Sequence, residues 1–173
     1  AAFLNHLPYC MDELQLTKDS RGKSSFDVYQ LAEGVGRTRG KRGGGVQNTP
    51  TWDCCFLTTG ESPIVGGAMG AGAINRVIEI ECTDGWKVIE DGQRISGILK
   101  RNYGFAGRTF VEKLYDSDKT QDIVREIYQD YYRELLQGDS TEKQAMAAAA
   151  IITADQLATH WIFKDDMALT VKD

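Results

Sequence analysis

The pattern of apolar residues changes character near residue 85, and that change limits the fold more than any single motif. Residues 1–85 hold short β-type runs separated by glycine-rich loops, whereas residues 86–173 read as one helix after another. The chain has 173 residues, 42% hydrophobic and 26% charged, enough for one packed domain or one and a half lobes of something larger. That balance excludes wholesale disorder. No run approaches ~18 uninterrupted apolar residues, and no basic segment precedes an apolar one, so neither a membrane span nor a secretory signal is expected.

The first strand is expected at Leu7-Pro8-Tyr9-Cys10-Met11, ending in the acidic pair Asp12-Glu13. Ser24-Ser25-Phe26-Asp27 offers a capping box for a helix that runs to about Glu33 and stops at Gly34. Residues 34–50 contain six glycines, four basic residues and no acid, which predicts a loop or hairpin outside the core. A second strand is expected from Trp52 to Leu57, followed by Thr58-Thr59-Gly60-Glu61. After the glycine-rich segment 66–72, Arg76 to Cys82 alternates apolar Ile78, Ile80 and Cys82 with Glu79 and Glu81, which predicts a half-exposed third strand.

At least four helices are expected in the second half. Ile95, Ile98 and Leu99 mark the first, ending near Tyr103-Gly104, and Phe110, Val111 and Leu114 mark a short second. Ile123, Ile127, Tyr128, Tyr131 and Leu135 line one face of a third, closed by Gly138. Ser140 or Asp139 is expected to cap a long fourth helix with its apolar face at Ile151, Ala154, Ala158 and Trp161.

A hydrophobic strand that ends in two carboxylates is one way P-loop ATPases place an acid beside Mg²⁺ and a second acid beside the attacking water. The same pattern also suits a surface turn or a helix N-terminus. Gly22-Lys23-Ser24 mimics the end of a phosphate-binding loop, but Thr17 stands where its first glycine is required. Gly34-Val35-Gly36 starts a G-x-G pattern whose third glycine arrives late, at Gly40. Arg37, Arg39, Lys41 and Arg42 lie on a glycine-rich backbone with no intervening acid, a composition able to track a phosphate backbone or simply to form a solvated loop. The overall net charge of −5 argues against nucleic-acid binding over the whole surface and leaves room for this local patch. Thr58 or Thr59 at a strand end is able to orient a water or touch a γ-phosphate, and is equally ordinary turn chemistry. Arg76 suits an arginine finger or a pairing with Glu79. His6 and His160 read as structural, and four cysteines without a C-x-x-C pair point to a reducing cytoplasm and no zinc site.

In order along the chain, these segments resemble one family. Leu7 to Glu13, then Tyr29-Gln30-Leu31-Ala32-Glu33-Gly34-Val35-Gly36-Arg37-Thr38-Arg39, then Thr51-Trp52 through Leu57-Thr58-Thr59-Gly60-Glu61 carry the similarity. Asn75 to Ile80, Asn102 to Gly107, Ala154 to Thr159 and Trp161-Ile162-Phe163 continue it. The chain resembles phage, prophage and plasmid proteins, catalogued as a domain of unknown function, that are related to AAA+ and superfamily 3 helicases and often stand beside primase modules. The resemblance implies an α/β fold: residues 1–85 as the C-terminal portion of a P-loop AAA+-type ATPase core, and 86–173 as a helical lid or extension. Asp12 and Glu13 would be the Walker B pair, with Asp12 on the Mg²⁺ shell and Glu13 as water activator. Arg37, Arg39, Lys41 and Arg42 would sit on a pre-sensor hairpin gripping single-stranded DNA, Thr58 or Thr59 would be sensor 1, and Arg76 the arginine finger.

The opening Ala1-Ala2-Phe3 and the close at Asp173 in mid-pattern suggest a piece of a longer polypeptide, whose Walker A loop would lie upstream. The expectation is therefore a cytoplasmic replication ATPase that, in its parent, binds ATP and Mg²⁺, self-associates into a ring on single-stranded DNA, and works alongside a primase, while this piece alone is inactive. The runner-up is a non-catalytic AAA+-like scaffold that binds DNA or a replication partner. A metal-dependent nuclease built on Asp12 and Glu13 is weaker, for want of a further ligand cluster.

Overall fold

Pro8 has no N–H to give to a ladder, and the pairing of the first strand reflects it. In the computed structural model, which describes residues 4–13, 28–65, 70–83 and 89–172, strand β1 (Tyr9–Met11) begins just after that proline. It pairs in parallel with β2 (Phe56–Thr58), matching Tyr9 to Phe56, Cys10 to Leu57 and Met11 to Thr58. The pairing resumes upstream of the proline at a parallel bridge between Asn5 and Asp53. Four steps along the first strand (5 to 9) thus match three along the second (53 to 56), and the surplus residue is absorbed where His6 adopts φ +61°. Tyr9 and Phe56 meet edge to face on one side of the sheet, their ring centroids 6.0 Å apart.

The chain divides into two compact units, Ala1–Glu79 and Ile80–Asp173. In the first, the helix α1 (Val28–Glu33) packs on the short helix α2 (Ala71–Ile74), burying Val28 and Ala73. Gly34 ends α1 in the left-handed conformation, φ +70°, as its position after Glu33 predicts. The proposed capping box at 24–27 lies outside the described residues, as do Gly22-Lys23-Ser24 and the compositional boundary near 85. Residues 35–51 form an antiparallel hairpin, with bridges between Val35 and Thr51 and between Gly40 and Val46.

The third strand expected over Arg76 to Cys82 does not form. Residues 71–74 are helical, 75 and 76 turn, and 77–83 have no regular structure. Alternation gives a strand its two faces, but a strand also needs a neighbour for its N–H and C=O groups, and among the described residues β2 pairs with β1 alone.

The second unit is helical: α3 (Gly92–Leu99), α4 (Phe105–Leu114), α5 (Asp118–Leu135) and α6 (Glu142–Ala158), which continues into a π-helical turn over Thr159–Phe163. Asp91 and Ser117 cap α3 and α5 by accepting the backbone N–H three residues on. The cap of α6 is Thr141 rather than Ser140 or Asp139: its hydroxyl accepts from Gln144 N–H while the Gln144 side chain returns to the Thr141 N–H. The main helix pair is α5 with α6, tied by the Tyr131 hydroxyl to Gln156 Oε1 at 3.2 Å, and Phe110 on α4 packs against Trp161 at 5.3 Å.

The buried stripe of α6 differs from the expected one. Ala145, Ala149, Ile152, Thr153 and Leu157 are inside, whereas Ile151 and Ala154 are exposed. Residues 145–152 are apolar almost without a break, so periodicity leaves the inward face open. Burial settles it: the alanines at 145 and 149 are fully inside, where small side chains permit close packing. On α5, Ile127, Tyr128, Tyr131 and Leu135 are half-buried as expected, but Ile123 is exposed. Among the described residues, no helix is long and apolar enough to cross a membrane.

Ala149→Leu is expected to destabilise the second unit by about 1–3 kcal/mol through overpacking, while Ala154→Leu leaves it nearly unchanged. Urea unfolding of the two variants measures the contrast, and equal midpoints would contradict the burial.

Candidate functional site

Parallel pairing puts the C-terminal ends of neighbouring strands on the same edge, and loops leaving that edge share one crevice. Extending the register one step past Met11 and Thr58 sets Asp12 beside Thr59. Thr59 N–H donates to the Met11 carbonyl at 3.1 Å, which carries the ladder to the edge. The Thr59 hydroxyl donates to Asp12 Oδ1. Glu13 N–H reaches both Asp12 Oδ1 at 3.1 Å and Thr59 Oγ1 at 3.2 Å. Glu13 itself takes φ +52°, a left-handed conformation uncommon outside glycine and asparagine, so the chain turns sharply directly after Asp12. Asp12, Glu13 and Thr59 therefore form one exposed cluster at the strand ends. Thr58 is the register partner of Met11, and strand alternation assigns it to the opposite face.

A carboxylate and a hydroxyl are hard oxygen donors of the kind Mg²⁺ takes, and Mg²⁺ commonly uses one or two protein carboxylates with phosphate and water completing its shell. Asp12 with Thr59 fits that pattern. Among the described residues, no group of three or more His, Cys, Asp or Glu side chains is placed to hold a metal on its own.

The basic residues stand on the hairpin. Its arms are joined by Gly36 N–H to the Pro50 carbonyl at 2.7 Å and Gln47 N–H to the Arg39 carbonyl at 2.8 Å. The tip turns through Gly44 and Gly45, with φ of +90° and +82°. The Thr38 and Thr49 hydroxyls lie 3.3 Å apart across the arms. Alternation in an extended chain places Arg37 and Arg39, the neighbours of Thr38, on the other side. All four cations, Arg37, Arg39, Lys41 and Arg42, are exposed.

The base of the hairpin is tied to α1. Trp52 N–H donates to the Gly34 carbonyl at 2.8 Å, and the Trp52 indole N–H caps the last turn of α1 at the Leu31 carbonyl, also at 2.8 Å. One residue further on, Asp53 enters the pairing that leads into β2. The hairpin and the Asp12–Thr59 edge thus share a continuous, hydrogen-bonded stretch of chain.

Arg76 pairs neither with Glu79 nor with the strand-end cluster. Its guanidinium carbon lies 5.4 Å from the centre of the Tyr29 ring, and Nη1 donates to the Gly72 carbonyl at 2.6 Å. The Glu79 carboxylate instead accepts two backbone N–H groups, from Ile64 at 2.6 Å and Val65 at 3.1 Å. Neither Tyr29 nor Trp52 carries a sequence signal of these roles. The alternation around Glu79 announces only an exposed face. His6 lies 3.8 Å from Asp53 in an exposed pair of little energetic weight, and His160 is exposed in the π-helical turn. All four cysteines are free thiols.

No family model matches the chain, and no curated protein or solved structure shows significant similarity to it.

A β-carbon on Gly34 would meet the Trp52 carbonyl oxygen at 2.5 Å, at a φ that already disfavours side chains. Gly34→Ala is expected to cost more than about 1–2 kcal/mol and to loosen the base of the hairpin. Faster amide exchange at Gly36 and Trp52 tests this, and unchanged exchange there would contradict the close approach.

Proposed function

We propose that this chain supplies the Walker B and sensor 1 portion, and the DNA-gripping hairpin, of a helicase-like ATPase that moves on single-stranded DNA. The observation that carries this reading is the pairing of Asp12 with Thr59 at the C-terminal ends of adjacent parallel strands, next to an acid at 13. Hydrolysis of a phosphoanhydride needs a metal-binding carboxylate, a second carboxylate near the attacking water, and a polar group that senses the γ-phosphate. In this reading Asp12 would hold Mg²⁺, which would supply neutralisation of the phosphate charge. Glu13 orients and deprotonates the water. Thr59 fixes the Asp12 carboxylate through its hydroxyl.

The resemblance to phage, prophage and plasmid replication proteins supports the same assignment, as does the hairpin rooted beside this edge. Arg37, Arg39, Lys41 and Arg42 would follow the phosphates of a single strand, with the glycine tip allowing the backbone to approach closely. Ring assembly and cooperation with a primase follow from the resemblance alone. The contact of Arg76 with Tyr29 and Gly72 sets a condition on its role as a finger: Arg76 must exchange these partners for a neighbouring subunit's phosphate.

Full-length polypeptide is the material for the test, because the reading places the phosphate-gripping loop outside residues 1–173. Glu13→Gln is expected to reduce ATP turnover by about 10²-fold or more while nucleotide binding persists. Turnover that survives the change removes Glu13 from the chemistry. Binding of DNA without any turnover in the unmodified protein would favour the non-catalytic scaffold.

Reversing Arg37, Arg39, Lys41 and Arg42 to glutamate is expected to weaken single-strand binding. It should also flatten the salt dependence by about 0.7 in logarithmic slope for each phosphate that is no longer neutralised. Unchanged affinity would return the hairpin to a solvated loop.

A further inference from the structure

The loop that leaves Thr59 and the segment that follows Arg76 are separate in sequence, and one side chain joins them. Glu79 Oε1 accepts from Ile64 N–H at 2.6 Å and from Val65 N–H at 3.1 Å. Two consecutive amides converging on a single carboxylate oxygen fix the direction of the loop locally, and hydrogen bonds to a charged acceptor are stronger than neutral ones. Ile64 and Val65 lie five and six residues after Thr59, whose hydroxyl holds Asp12. Glu79 lies three residues after Arg76, whose guanidinium rests on Tyr29 and Gly72.

The segment between them is short. Arg76 N–H bonds back to the Ala73 carbonyl at 3.0 Å and Val77 N–H to Ile74 at 3.3 Å, so Arg76 closes the end of α2. Gly72 is tightly packed there: a β-carbon on it would lie 3.2 Å from the Tyr29 ring and 3.4 Å from Arg76 Nη1. The Arg76 side chain thus packs on the same short helix whose end its backbone N–H closes, three residues before Glu79. An exposed Arg76 has an anion as its natural alternative partner.

We propose that Glu79 is a positioning residue that couples the placement of Arg76 to the Thr59–Asp12 pair through the amides of Ile64 and Val65. This rests on reading Asp12 and Thr59 as the hydrolytic edge. Through this link, the occupancy of Arg76 by a phosphate regulates how firmly Thr59 holds Asp12. The coupling would run through the two Glu79 bonds, the short end of α2 and the chain that joins each to its neighbour.

The test is amide hydrogen exchange on the protein and its Glu79→Ala, Glu79→Gln and Arg76→Ala variants, with no nucleotide present. Loss of the carboxylate is expected to speed exchange at Ile64 and Val65 by about three- to tenfold, the span of a typical net hydrogen bond. The same variant is expected to speed exchange at Thr59 and Glu13, and Arg76→Ala to do so at Ile64 and Val65. Glu79→Gln retains an acceptor oxygen and is expected to restore most of the protection. Protection of the Gly36 and Trp52 amides, bonded within the same unit, shows whether each variant is folded, and Arg76→Ala reads the coupling from its other end if Glu79→Ala is not.

Acceleration confined to Ile64 and Val65, with Thr59 and Glu13 unmoved, would overturn the coupling and leave Glu79 a local loop clamp. No change at Ile64 and Val65 would overturn the bond itself. Because no outcome depends on turnover, failure of the ATPase reading is seen separately, in the hydrolysis assay.

Discussion

The parallel register of β1 with β2 is the constraint on which the rest of the first unit depends. A two-stranded parallel pair is weak by itself, since its slanted hydrogen bonds and exposed edges contribute little without covering layers. Its consequence is nonetheless specific. Shifting the register by one residue would set Asp12 opposite Thr58 and replace a shared face by opposite ones. The surplus residue at His6 and the missing donor at Pro8 confine the regular ladder to Tyr9–Met11, the three residues that lead directly into Asp12. The geometry of the cluster is therefore set by backbone pairing rather than by the cluster's own side chains.

The hairpin illustrates how local chemistry produces a projecting element. Glycines relieve the backbone at Gly34, Gly44 and Gly45, where φ is positive, and Trp52 ties the base by its backbone and indole N–H groups. The four cations repel one another and leave no acid within the hairpin to neutralise them. A fold does not need such a loop, and the core would be unaffected by replacing these cations. The concentrated positive charge on a chain of net charge −5 is what gives the hairpin its functional reading.

The sequence was most legible where a single local rule decides the outcome. Gly34 ends α1 and Asp12 follows the first strand, each from a residue type whose backbone or side-chain chemistry suits the position. Legibility failed where the outcome needs a partner. Residues 76–82 alternate as a strand does but acquire no ladder neighbour, and α6 is apolar on too many sides for periodicity to choose Ala149 over Ile151. The cap of α6 fell one residue from expectation because Thr141, not Ser140, has a glutamine three positions on. In the site, the acids and the hairpin cations were visible as types in order. The discrimination of Thr59 from Thr58 required the register, and the engagement of Arg76 by Tyr29 joins residues 47 positions apart with no pattern between them.

The two units rest on different kinds of interaction, and the difference bears on function. In the second unit, Ala145, Ala149, Ile152 and Leu157 are buried along a 17-residue helix, so its order derives from close packing. Its surface ion pairs, such as Arg108 with Glu112 and Arg133 with Asp130, are exposed and contribute little. In the first unit, among the described residues only Val28 and Ala73 are apolar and buried, while Leu57 on the sheet is 53% exposed. Order there comes from hydrogen bonds that water is able to replace: Thr59 to Asp12, Trp52 to Leu31, Glu79 to Ile64 and Val65. Such bonds each hold a geometry at small net free energy, so they are readily exchanged for a ligand's. Segments of low local stability are where binding and switching residues must lie, and the residues assigned chemistry here all lie in that unit.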